Sequence, residues 1–326
     1  MNIFYPVELF ADLVTYGWLG LAKGSYLGST LNFFIFDIIE IGVLLVIIDF
    51  IMAMTNYYFP MERARDILTK KRWFGLNYFM AAALGVVTPF CSCSSIPLFI
   101  GFLNAGIPLG VTFAFLISSP LINESSLYLF PAMFGMKVTI VYNVVGVLIS
   151  MLGGMLIQEL GVEKYVKSEF LRSKTRIQVV EENDGKELSP RQLAIYFWKE
   201  GWSVTRQLFP YVLLGVGIGA VIHGYVPASL AERYLSSRAW WTVPFAVILG
   251  APLYANSVSV LPIMQALAGK GMPLGTVLAF MTSIVTISLP EALMLKKVMR
   301  WQLLAIFFGI TIIGIIIMGY LFNIIF

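Results

Sequence analysis

Between Arg72 and Glu124 the chain runs for 51 consecutive residues without an Asp, Glu, Lys or Arg. Residues 239–269, 138–158 and 301–326 are equally free of charge. A helix crossing the hydrocarbon core of a bilayer needs about 20 mostly apolar residues, which each of these runs supplies. Only 12% of the 326 residues are charged and 59% are hydrophobic. A soluble protein carries roughly a quarter of its residues charged, so a soluble fold is excluded. The expectation is an all-α polytopic membrane protein of about 8–10 spans. A net charge of +4 with no standout basic tract argues against a nucleic-acid partner. Residues 1–10 lack the basic region and cleavage site of a secretory signal.

Residues 1–30 mix Glu8, Asp12 and Lys23 with aromatics, and predict an interfacial helix over 5–24. A first span follows at 32–56, then a loop, 61–72, with five basic residues against two acidic ones. Segments at 73–90, 94–104, 108–120 and 123–135 are divided by prolines, and 138–158 is an uninterrupted span. Residues 161–200 hold fifteen of the forty charges and end in a helix-start signal, Ser189-Pro190. The second half runs through 204–224, 239–256, 258–268, 273–288, 290–298 and 301–325. The expected organisation is an N-terminal membrane repeat over 1–160, a charged linker over 161–200 and a C-terminal membrane repeat over 201–326.

The two halves match. Residues 85–127 laid on 250–292 at a constant offset of 165 share twelve identities in 43 positions. Gly85/Gly250, Ser92/Ser257, Ser94/Ser259, Pro97/Pro262, Gly106/Gly271 and Pro108/Pro273 are among them. Gly and Pro in register over that length favour an internal duplication over chance likeness between apolar segments. Basic residues collect on cytoplasmic loops, which places 61–72 inside. Its counterpart in the second half, 224–239, has only Arg233 and Arg238, whereas Lys296, Lys297 and Arg300 face a counterpart with only Lys137. The bias flips between the halves, as inverted topology requires. The central linker is then cytoplasmic and both termini lie outside. Inverted repeats with interrupted helices characterise secondary transporters, and paired interruptions point to a binding site near the midplane. The candidate breaks, or re-entrant turns, are at Pro89, Pro97 and Pro108 and again at Pro252, Pro262 and Pro273. The bland alternative is kinked helices that merely pack well.

The first interruption, Thr88 to Pro97, holds six hydroxyl or thiol side chains in eight residues, Cys91, Ser92, Cys93, Ser94 and Ser95 among them. At the same register in the second half stand Asn256, Ser257, Val258 and Ser259. The serines are common to both halves and the thiols belong to the first alone. On a regular helix or strand a Cys-x-Cys pair points its sulfurs apart. Between two prolines the backbone is free to turn both toward one soft ion or metalloid, the kind of centre thiolates select. The plain alternative is a pair of small buried apolar residues. No third cysteine exists, and no metal or cofactor motif is present. Acids inside a membrane are costly and usually functional. Asp37 and Glu40 share a helical face, and Glu124 and Glu291 follow the duplicated segments two residues out of register. These four are candidates for proton exchange or for holding a basic partner, with interfacial capping the alternative for Glu124 and Glu291. His223 reads as interfacial, and Gly215, Gly217 and Gly219 as a close helix contact.

The run from Thr88 through Pro97, followed by Gly106-Ile107-Pro108-Leu109-Gly110 and Ser118 through Glu124, resembles the YraQ-like predicted permeases. That group includes the ArsP-type organoarsenical efflux permeases, and the resemblance covers nearly the whole chain. It implies a permease of two homologous halves, not an enzyme, in a prokaryotic cytoplasmic (inner) membrane. For ArsP-type members it implies export of trivalent organoarsenicals with cysteine thiols as ligands. The expected partners are a small-molecule or metalloid solute and the lipid bilayer. Two thiols suit a methylated arsenical, whose arsenic already has one valence capped by carbon. Open alternatives are a soft metal ion or sulfur-containing solute, a membrane thiol oxidoreductase using Cys91 and Cys93, and a docking role for 161–200.

Overall fold

The computed structural model describes residues 5–23, 25–58, 75–87, 92–104, 106–167, 189–225, 239–253, 260, 264, 267–269 and 271–326. In chain order the helices are α1 (Tyr5–Asp12), continuing as a π-helical turn (Leu13–Trp18), α2 (Tyr26–Tyr58), α3 (Leu76–Val87) and α4 (Ser92–Asn104). Next come α5 (Leu109–Leu121), the short α6 (Glu124–Tyr128) and α7 (Phe130–Met133), and α8 (Met136–Glu159). The second half holds α9 (Pro190–Tyr225), α10 (Thr242–Gly250), α11 (Leu274–Thr286), α12 (Leu289–Val298) and α13 (Trp301–Ile325). Among the described residues there is no strand, only an isolated bridge between Val166 and Met299.

Two of these helices, α8 and α13, are each long and apolar enough to cross a membrane. A third candidate span is the pair α11 and α12, which meet at a bend of 47°. The faces of α8 are arranged for lipid. Met136, Ile140, Val144, Leu148, Leu152 and Leu156 form an exposed stripe four residues apart, while Tyr142, Gly146, Ser150, Gly153 and Gly154 are buried. A water-exposed helix places its polar residues outward; here the small and polar ones face the protein, as helix contacts within a bilayer favour.

The described ends of the charged central segment are tied into the helical frame. Ser189 and Gln192 form a reciprocal capping box, N–H of Ser189 to Oε1 of Gln192 at 2.9 Å and N–H of Gln192 to Oγ of Ser189 at 3.4 Å. With Pro190 opening the helix, α9 begins well before residue 204 and carries Arg191, Lys199 and Glu200 on its first turns. On the other side, Lys167 N–H donates to Val298 at 2.9 Å and Arg300 N–H to Tyr165 at 2.8 Å. Residues 168–188 of the expected linker lie outside the described residues.

The 165-residue offset extends beyond the 43 matched positions. Shifted by 165, α5 coincides with α11, residues 136–159 become 301–324 within α13, and residues 26–58 become 191–223 within α9. The contacts repeat as well. Gly110 N–H donates to Gln158 Oε1 and Gly275 N–H to Asn323 Oδ1, both at 2.8 Å. Ser118 Oγ donates to Phe115 at 3.0 Å and Ser283 Oγ to Phe280 at 2.8 Å. Each of these serines occupies the space that a Cβ at Gly85 or Gly250 would need. Gly106 and Gly271, with φ of 72° and 86°, make the same left-handed turn ahead of Pro108 and Pro273, the N-caps of α5 and α11.

Equivalent helices also pack on each other. A Cβ on Gly201 would meet the backbone of Asp49 and Phe50, on Gly42 the ring of Phe209, and on Gly217 the ring of Phe34. As α9 advances its partner residue on α2 falls back, so the two helices run antiparallel. The same holds for α8 and α13, where Gly314 meets Ile149 and Gly153 meets Ile310. Against the second pair lie α5, buried at every residue and packed on α8, and α11, packed on α13; α5 and α11 also touch each other. Thr286 Oγ1 of α11 donates to the Pro120 carbonyl at 3.4 Å, joining the halves where both helices end.

Candidate functional site

The segment that carries the thiols leads directly into α4. Pro89 and Cys91 lie outside the described residues, as do Asn256, Ser257, Ser259 and Pro262; Ser92, Cys93 and Ser94 form the first turn of α4, their side chains outside the description. The helix runs through Pro97 instead of breaking there. A proline this close to the start removes only one helical donor, the N–H that would have gone to the carbonyl of Cys93. The next residue of the run, Ser95, is fully buried and its hydroxyl lies 2.6 Å from that of Ser119 on α5. Pro108 caps the following helix, and Pro252, in the turn after α10, stops that helix without entering it.

Glu291 opens α12. Ser288 caps that helix by accepting the N–H of Glu291 at 3.2 Å. In a complete Ser-x-x-Glu box the glutamate carboxylate returns the favour to the cap residue. Here it does not: Glu291 is 0% exposed and neither carboxyl oxygen has a hydrogen-bond partner among the described residues. Gly215 of α9 presses against the first turn of α12, where a Cβ would stand 2.5 Å from Pro290 Cα. With Gly217 against the Phe34 ring, this accounts for two of the three glycines read as a close helix contact. An acid buried without a partner is costly, and such groups in membrane segments mark ion or substrate paths.

The elements around Glu291 form a closed circuit. α2 packs on α9, α9 on α12, α12 on α4, and α4 back on α2. The acids of α2 lie on this circuit too. Asp37 and Asp49 are both buried at 3% exposure. Asp49 Oδ2 accepts the hydroxyl of Thr205 from α9 at 2.6 Å, while its Oδ1 and the Oδ2 of Asp37 lack partners among the described residues. Glu40, one turn beyond Asp37, is half-buried. The Glu124 side chain lies outside the description, as does that of His223. Among the described residues no three His, Cys, Asp or Glu side chains converge on a metal position.

Two asparagines of the first half bond within or between its elements. Asn123 caps α6 by accepting Ser126 N–H at 3.1 Å, and Asn143 joins α8 to α6, accepting Ser126 Oγ at 3.1 Å. Tyr142 escaped sequence reasoning altogether. Its hydroxyl donates to the Leu121 carbonyl at 2.9 Å and sits 3.0 Å from Thr282 Oγ1 of the other half. With Thr286 it satisfies carbonyls left over at the end of α5. A lone Tyr in an apolar run gives no sequence signal for this, whereas Ser288-x-x-Glu291 is a readable helix-start pattern.

A family model described as a predicted permease, ArsP_1, matches residues 26–324. The chain belongs to this family. The permease is 23% identical over 316 residues to UPF0718 protein MJ0584 of Methanocaldococcus jannaschii, covering 78% of this chain and 85% of the relative. It is 23% identical over 234 residues to UPF0718 protein YraQ of Escherichia coli, covering 69% of this chain and 63% of that protein. No solved structure matches it. Family and apolar helices together make the permease a multi-pass membrane protein whose partners are a small solute and the bilayer.

Proposed function

We propose that the permease is a secondary exporter of a soft, thiol-reactive solute, a trivalent organoarsenical. Cys91 and Cys93 hold the arsenic beside the serines of the same run, Asn256, Ser257 and Ser259 line the opposite side, and Glu291 exchanges the proton. The observation that carries this reading is the packing of α4 on α12. That contact sets the helix that begins at the thiols, from the first half, against the helix bearing a fully buried acid with no hydrogen-bond partner among the described residues, from the second. A thiol pair supplies affinity for a soft centre. A nearby carboxyl that takes and loses a proton supplies a means of coupling.

The halves are read as inverted-topology repeats. Support comes from α2 with α9 and α8 with α13, equivalent by the offset and packed antiparallel, the relation that inverted repeats produce. The bend between α11 and α12 supports a span interrupted next to Glu291. The central linker faces the cytoplasm of a prokaryotic cell, where its charges are solvated.

The test is an efflux and resistance assay in cells lacking their own arsenic exporters. Wild type and the Cys91→Ser, Cys93→Ser double variant are challenged with trivalent methylarsenical and with inorganic arsenite. Protection specific to the methylated compound, lost in the variant, is expected. If well-expressed wild type lowers accumulation of neither compound, the cargo assignment falls.

A further inference from the structure

The seam between α2 and α9 opens outward as a groove of about 780 Å³. Ile39, Val43 and Val46 of α2 form one wall, and Trp202, Arg206 and Phe209 of α9 the other. Arg206 is the one charged residue among the described lining, and its side chain is exposed with no ion-pair partner among the described residues. It is also the last Asp, Glu, Lys or Arg on α9; none follows through Tyr225. One and two turns before it, Trp202 and Trp198 stack with centroids 6.3 Å apart and planes 7° from parallel. Exposed tryptophans beside the end of an apolar run mark the membrane–water boundary. Beyond Arg206 the groove is apolar. Pro210 lines it there and denies the Arg206 carbonyl its helical donor, loosening the α9 backbone at that level.

A guanidinium at the membrane surface, with no carboxylate beside it among the described residues, attracts an anionic headgroup. Planar, five-donor Arg matches phosphate well. Asp49 of α2 does not line the groove; its Oδ2 accepts the hydroxyl of Thr205. The groove is therefore an apolar channel bordered by an aromatic pair and by one exposed cation, with no anion among its described lining. We propose that it binds one anionic phospholipid, with the phosphate on Arg206 beside the tryptophan pair and an acyl chain laid along the α2–α9 seam. A headgroup carrying its own ammonium would find no described carboxylate there. Because α2 and α9 belong to different halves, the lipid bridges them and its presence holds their contact closed.

The experiment is native mass spectrometry of the full-length protein released from nanodiscs of phosphatidylglycerol and phosphatidylcholine in equal parts. One retained lipid with about a fivefold preference for phosphatidylglycerol is expected, the ratio that a single basic side chain near a membrane surface confers. Arg206→Gln abolishes the preference, Arg206→Lys keeps part of it, and Lys199→Gln on the same helix leaves it unchanged. Val43→Trp, which fills the channel, loses the lipid of either kind. Thermal unfolding of each variant in detergent separates lost binding from lost folding. Equal retention of the two lipids by wild type, or a preference that survives Arg206→Gln in a folded protein, overturns the proposal. So does a dimer that Val43→Trp converts to monomer without any change in bound lipid, since the groove would then be covered by a second copy.

Discussion

Asn123 and Ser288, 165 residues apart, hold the same place in the two halves: each accepts, on its side-chain oxygen, the N–H of the residue three further on. Those residues are Ser126 and Glu291. The structural counterpart of Glu291 is therefore Ser126, not Glu124, whose own counterpart by the offset is Leu289. Ser126 spends its hydroxyl on Asn123 and Asn143, at 2.7 and 3.1 Å. Glu291 spends its carboxyl on no described residue. The duplicated frame thus carries thiols in one half only and, at the start of α12 in the other, a buried acid with no partner among the described residues.

This asymmetry predicts unequal effects of the two glutamates. Glu291→Gln removes the ionisable group while keeping its size, so the protein folds and the dependence of efflux on the proton gradient disappears. Glu124→Gln leaves that dependence in place. Efflux from everted vesicles, measured with and without an imposed proton gradient, distinguishes them. Retention of gradient-driven efflux by Glu291→Gln would remove this residue from the coupling step.

Topology makes a second, independent prediction. Leu160 and Ile325, equivalent by the offset, stand at the ends of α8 and α13 and are both exposed, at 57% and 53%. If the halves are inverted, cysteines introduced at the two positions in a Cys-free background react from opposite sides of the membrane. A membrane-impermeant maleimide applied to intact cells labels one and spares the other. Labelling of both from the same side excludes inverted repeats.

How much of this was legible in the sequence depended on what a residue type can reveal by itself. Paired Gly and Pro gave the duplication, because Gly106 and Gly271 need a left-handed backbone and Pro108 and Pro273 suit the position ahead of a helix. The same residue types misled at Pro97, since one proline in the first turns of a helix interrupts a single hydrogen bond. Ser189-Pro190 signals a helix start, yet charge assigns the following turns to the linker and only 204–224 to the span; the structure joins both in one helix capped by the Ser189–Gln192 box. Least legible were pairings between distant polar residues, such as Asp49 with Thr205 and Tyr142 with Thr282. Each partner alone is ordinary, and only the packing of α2 on α9 and of α8 on α11 brings them together.

Close approach at equivalent glycines predicts matched costs in the two halves. An added methyl at Gly85 collides with Ser118 and the Phe115 carbonyl, and at Gly250 with Ser283 and the Phe280 carbonyl. Gly85→Ala and Gly250→Ala each destabilise by about 1–3 kcal/mol, the range for overpacking a tight contact. Gly309 on α13 has open space around it, so Gly309→Ala is neutral or stabilising, by up to ~1 kcal/mol for a mid-helix glycine. Thermal unfolding in detergent ranks the three. A Gly85→Ala protein as stable as Gly309→Ala would mean that α3 and α5 are not in the contact described.

The last prediction concerns the bond that fastens the first half to the second at the α2–α9 seam. Thr205 donates to Asp49 Oδ2 at 2.6 Å, and both residues are 3% exposed. Thr205→Val keeps the shape and removes the donor, leaving Asp49 without its one described partner. In membrane proteins such bonds contribute about 0.6 kcal/mol on average and up to about 1.7 kcal/mol. Thr205→Val is expected near the upper end, because the abandoned group is an acid with nowhere to turn. Asp49→Asn keeps an acceptor for Thr205 and costs less. If the bond is the source of the effect, Thr205→Val adds little to a background that already carries Asp49→Ala. Full additivity in that double-mutant cycle, followed by reversible unfolding, would show that the two residues act separately. A shortfall from additivity matching the single-variant loss assigns the stability to this contact between the halves.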